Sequence, residues 1–164
     1  MGEILTNSGS ISMPDAGADQ RRSPAKRVGD KSAVMFLCVH NAGRSQMAQG
    51  FFLHLAGGAA IAWSGGSEPG DQVNPVAIEA MGERGIDISG EFPKPWTDAT
   101  VRAAEVVITM GCGDACPVVP GKRYEDWALD DPAGKDLAAV RVIRDEIEQR
   151  VRKLLAEIGV TARA

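Results

Sequence analysis

Apolar positions first run unbroken from Ala33 to Val39 (AVMFLCV), as expected of a strand buried on both faces. A polar turn, His40 to Arg44, follows. Ser45 to Leu55 then places Met47, Phe51 and Leu55 at four-residue spacing, which predicts a helix. The alternation continues along the chain. Ala59–Ser64 reads as a short strand. Pro75–Glu83 reads as a helix with Pro75 in its first turn, Gly85 just past its end, and Val76, Ile78, Ala80 and Met81 on its apolar side. Asp98–Ala104 predicts a short helix, Glu105–Met110 a strand and Arg123–Trp127 a short strand. In Leu137–Ile158 a stripe of Val140, Ile143, Ile147, Val151, Leu154, Leu155 and Ile158 predicts the longest helix, ended by Gly159. Strands alternating with helices predict an α/β fold: a mostly parallel sheet with helices on both faces. Sites in such sheets lie at the carboxyl ends of the strands. Three polar loops fall there, at 38–45, 111–121 and 128–136.

The stretch before the first strand has no such period. Met1–Asp30 is rich in Gly, Ser, Pro and Asp with balanced charges, and buries too little to offset its ordering entropy. The expected organisation is a disordered extension over 1–30 and one domain over 31–164, which the length of 164 residues fits. Lys plus Arg number 18 against 22 Asp plus Glu, a net charge of −4, which argues against a nucleic-acid partner. No run reaches the ~20 apolar residues of a membrane span, and the N-terminus lacks the apolar core of a secretory signal. These features predict a cytoplasmic protein with reduced thiols and no membrane partner.

Three cysteines, Cys38, Cys112 and Cys116, are too few for a disulfide scaffold or a four-cysteine zinc framework. Cys38-Val-His-Asn-Ala-Gly-Arg44-Ser45 fits Cys-x5-Arg-Ser between a buried strand and a helix. A loop of this length wraps backbone N–H groups around a tetrahedral oxyanion at the positive end of the helix. The anion-binding set is therefore His40, Asn41, Ala42, Gly43, Arg44 and Ser45. Arg44 offers a planar fork to two oxygens, Gly43 allows close backbone approach, and Ser45 can donate to the Cys38 sulfur. The same field favours a Cys38 thiolate, the form that acts as nucleophile. The bland alternative is a buried cysteine ending a strand beside a surface arginine. The loop lacks the Gly-Lys-Ser/Thr ending of a nucleotide P-loop.

In Trp127-Ala-Leu-Asp130-Asp131-Pro132-Ala-Gly134, Pro132 restrains Asp131 to an extended conformation. Read alone this is turn chemistry. Beside an oxyanion loop, Asp131 becomes the candidate acid, ahead of Asp130. Cys112 and Cys116 stand four apart. On one helical turn their Cβ atoms would be ~5–6 Å apart, beyond the ~3.5–4.5 Å of a disulfide, so closing the pair asks for backbone change that Gly111 and Gly113 make cheap. Both a pair of buried cysteines and a redox relay fit the spacing. Zinc would need further ligands from Cys38, His40 and His54; no metal and no cofactor are predicted.

Cys38–Ala48 resembles the anion loop of the low-molecular-weight tyrosine phosphatase superfamily, in the form its arsenate reductases carry. Asn74-Pro-Val-Ala-Ile78 with Gly85-Ile-Asp-Ile-Ser89, Thr109–Pro117, and Trp127–Lys135 agree, so the resemblance spans 34 to about 158. It implies a single low-molecular-weight phosphatase-like domain with a four-stranded parallel sheet, and arsenate as substrate. It further implies that Cys38 attacks arsenate, Arg44 and the loop amides hold the oxygens, and Asp131 protonates the departing hydroxide. Cys112 then attacks Cys38, releasing arsenite, and Cys116 attacks Cys112. Thioredoxin reduces the final disulfide, or a mycothiol and mycoredoxin system serves with Cys38 alone. Many members carry a second cysteine where this chain has Gly43. Some hold potassium with a glutamate where it has Gln49, so potassium is not predicted. A phosphotyrosine phosphatase would use the same Cys38, Arg44 and Asp131, but Ala133 and Gly134 replace the aromatic residues usual after its Asp-Pro. The non-enzymatic alternative, a redox sensor or oxyanion-binding module, leaves an intact nucleophile, arginine and acid unexplained.

Overall fold

The computed structural model describes residues 27–28, 31–112, 117 and 119–163. The two-residue strand β1 (Arg27–Val28) pairs antiparallel with the start of β2 (Lys31–Cys38). Seven consecutive residues of β2, Ser32 to Cys38, are buried, because β2 is the centre of the sheet. β3 (Ala60–Gly66) pairs with it in parallel, as does β4 (Val106–Met110), and β5 (Arg123–Asp126) lies outside β4. The parallel order is β3-β2-β4-β5, the four strands expected, with β1 added antiparallel.

Because side chains alternate across a strand, β2 feeds two cores. Val34, Phe36 and Cys38 join the larger one, with α1 (Arg44–Ala56), α2 (Pro75–Gly82) and α4 (Leu137–Glu157). Met35 and Leu37 join the smaller one on the other face, with Val101 of α3 (Asp98–Ala103), Ala104, Val107 and Cys112. The expected stripes are the buried ones: Met47, Phe51 and Leu55 on α1, and Val140 through Leu155 on α4. On α2 the inner face is instead Ala77, Ala80 and Met81, with Val76 and Ile78 partly buried at its edge. Glu83, just past α2, accepts from Arg141 (2.9 Å) and Arg144 (2.8 Å) of α4, while Arg84 meets Glu148 at 2.7 Å. This register sets the site: Cys38 ends β2 between Gly66 of β3 and Met110 of β4.

Candidate active site

The chain turns from β2 into α1 through residues 39–43, and a buried polar network holds that turn. Asn41 is fully buried and adopts φ 51°, the left-handed region that asparagine tolerates better than most residues. Its N–H faces Cys38 Sγ at 3.2 Å and its Nδ2 donates to Ser45 Oγ at 2.7 Å. With that donor in place, the Ser45 hydroxyl proton is free to point at Cys38 Sγ, 2.9 Å away. Asn41 Oδ1 accepts from Gln46 Nε2 (3.1 Å) and the backbone N–H of Lys94 (3.0 Å), and Gln46 Nε2 also reaches Asn41 O at 3.1 Å. Burial pushes the Lys94 ammonium down from its usual range, against the raising effect of Glu91. Two donors are thus aimed at one buried sulfur. Asn74, Thr97 and Asp136 cap α2, α3 and α4 with their side chains, whereas Gly43 gives α1 no side-chain cap. The first-turn amides of α1 therefore suit an anion.

Cys38, His40, Ala42, Gly43 and Arg44 line a cleft of about 200 Å³ with Gln72, Asn74, Pro75, Asp131, Pro132 and Ala133. None of these is Phe, Tyr or Trp, and the Tyr124 hydroxyl accepts from Val119 N–H at 2.6 Å instead. Arg44 is buried; its Nη2 lies 3.6 Å from Asp131 Oδ2 and its Nη1 donates to Leu129 O at 3.4 Å. Asp131 is half exposed, and its Oδ1 accepts from Ala133 N at 3.0 Å. Asp130 does not line the cleft. Pro132 seats its ring on Gly43, where a Cβ would meet Pro132 Cγ at 2.6 Å. Any side chain at this place would have to displace the proline. His40 lies at the cleft mouth with Nδ1 against Glu68 O at 2.9 Å.

The predicted site residues separate into two groups. Cys38, His40, Asn41, Ala42, Gly43, Arg44, Ser45 and Asp131 come together around one cleft or its floor. Cys112 does not. It is buried in the smaller core, on the opposite face of the sheet from Cys38, and is disulfide-bonded, while Cys38 is a free thiol. Cys116 lies outside the described residues. The two sulfurs are nevertheless carried by neighbouring strand ends, since Cys112 stands two positions beyond Met110, the partner of Cys38. Gln49 spends its amide on Ser64 Oγ (2.6 Å) and Ala62 O (3.4 Å), tying α1 to β3.

Residues 33–163 match the model of the low molecular weight phosphotyrosine protein phosphatase family. The chain belongs to this family. It is 41% identical over 129 residues to the glutaredoxin arsenate reductase of a Synechocystis strain, covering 77% of this chain and 98% of that one. The Corynebacterium glutamicum thioredoxin-dependent arsenate reductase superposes with a TM-score of 0.70 at 46% identity, over 80% of this chain and 64% of that longer one. An arsenate reductase solved in the phosphate binding state also gives 0.70, at 39% identity over 78% and 99% of the two chains.

Within this family frame, two residues of the site carry more than their sequence signals disclosed. Asn74 stands in sequence at an Asn-Pro helix start with no role of its own, yet it touches both the anion loop and the acid loop. Gln46 reads as one more helix position, yet it pins Asn41. The Asn-Pro helix start was the available signal for the first; the second had none. Among the described residues no helix is long and apolar enough to cross a membrane.

Proposed function

We propose that this chain reduces arsenate to arsenite. The observation that carries the reading is the setting of Cys38 Sγ: two donors aimed at it, Arg44 beside it, and Asp131 across the same cleft. The amides at the start of α1 and the Arg44 fork hold the arsenate oxygens. The Cys38 thiolate attacks arsenic, an As–O bond breaks, and Asp131 gives the departing hydroxide its proton, so that water leaves. The Cys112 thiolate then attacks Cys38 Sγ. The As–S electron pair stays with arsenic, which falls from As(V) to As(III) and leaves as arsenite, and a Cys38–Cys112 disulfide forms. Attack by Cys116 on Cys112 frees Cys38, and a dithiol reductant, thioredoxin, reduces the last disulfide.

The disulfide-bonded state of Cys112, with Cys38 left as a free thiol, supports an internal relay over a route in which a small thiol meets Cys38 alone. A cleft lined by no Phe, Tyr or Trp favours a small oxyanion over a phosphotyrosine. The relatives named above include one called thioredoxin-dependent and one called a glutaredoxin arsenate reductase. Turnover with thioredoxin, with a mycothiol system and with neither identifies the reductant. In the same assay Cys38→Ser loses all arsenate reduction and keeps its fold by circular dichroism; residual turnover would end the assignment.

A further inference from the structure

Asn74 stands where three elements meet. Its backbone N–H donates to Ala42 O of the anion loop at 2.7 Å, and its Oδ1 accepts from Val76 N at 2.9 Å, capping α2. Its Nδ2 donates to Pro132 O of the acid loop at 3.4 Å. The same Pro132 carbonyl accepts from Lys135 N at 3.1 Å, closing the turn that carries Asp131. The other face of Pro132 rests on the bare backbone of Gly43. The acid loop is therefore mounted on the anion loop at two points, the proline ring on Gly43 and the proline carbonyl on Asn74.

We infer that Asn74 is a positioning residue for the proton-transfer step, latching the Asp131 loop to the Cys38 loop through Pro132 O. This rests on the reading of Asp131 as the acid. Asn74 Nδ2 is a donor tied at its own backbone to the anion loop, so each time it holds Pro132 O it fixes the separation of acid and nucleophile. At 3.4 Å the bond is long, and catalytic hydrogen bonds often tighten only when substrate is bound. Its effect therefore falls on rate more than on stability, since a 1 Å misplacement of a reacting group can cost about a hundredfold.

The variant that isolates the latch is Asn74→Ser. Serine keeps the cap acceptor and the backbone bond to Ala42, but is too short to reach Pro132 O. Three readouts are taken on the full chain. Single-turnover arsenite formation at saturating arsenate should fall about tenfold or more, with the arsenate KM and the melting temperature unchanged. Amide exchange at Ala133 and Lys135 should accelerate several-fold. In an Asp131→Asn background, Asn74→Ser should add no further loss, because both changes act on one step. Unchanged exchange, or an unchanged single-turnover rate, would overturn the inference. So would a raised KM with a loss that persists in the Asp131→Asn background, since Asn74 would then be binding substrate. Asp131→Asn with full activity, alongside faster exchange in Asn74→Ser, would instead sink the acid assignment and leave the latch standing.

Discussion

Arg44 owes its place in the cleft to a glycine on another strand end. Gly111 has φ 84°, and a Cβ built on it would lie 2.6 Å from Arg44 Nη1. Gly111→Ala therefore brings two effects. A left-handed alanine costs about 1–2 kcal/mol, and the guanidinium must swing away from where it meets the anion. Losing one charged hydrogen bond of about 1.5–3 kcal/mol predicts oxyanion binding weakened about tenfold or more, with a lower melting temperature. Calorimetric titration of arsenate into Cys38→Ser, with and without Gly111→Ala, measures this free of turnover. Equal affinities would show that Arg44 is not the anion's fork. That Cys38, Arg44 and Ser45 come together was legible in sequence because strand end, loop and helix N-terminus are local features of one segment. The roles of Gly111 and Asn74 were not, because each depends on an approach between segments far apart in the chain.

At the scale of elements, α2 is held to α4 by charge at its end as well as by its small apolar face. The hydrogen bond from Arg141, aided by Arg144, outweighs desolvation and lowers the Glu83 pKa from 4.5 to about 2. A carboxylate depressed on folding stabilises fully above its unfolded pKa, and that stabilisation is lost as pH falls through the folded one. Glu83→Gln should melt below the parent at neutral pH. The gap should close as pH falls from about 4.5 toward about 2, and a gap that stayed constant down to pH 2 would contradict the clamp. The long stripes of α1 and α4 were legible because several turns of period outweigh local noise. The inner face of α2 was not. Eight residues give two turns, and close packing on α4 selects Ala77 and Ala80 over the bulkier Val76 and Ile78, which sit at the edge. The strand and helix ends differ from the pattern by one or two residues, as fraying allows.

For the molecule as a whole, the parallel sheet sets both the site and its difficulty. It delivers Cys38 and Cys112 to adjacent strand ends, yet it turns their side chains into opposite cores. In the proposed relay, transfer of oxidation from one to the other would require Cys112 to leave the smaller core. Cys116→Ser should stop the proposed relay before its last exchange, which makes it the most direct test of that proposal. Reduced protein is mixed with arsenate without reductant, arsenite is counted per enzyme, and disulfides are mapped by mass spectrometry. The proposed relay predicts one arsenite per enzyme and a Cys38–Cys112 disulfide. No arsenite, or repeated turnover with a small thiol and no Cys38–Cys112 link, would contradict it.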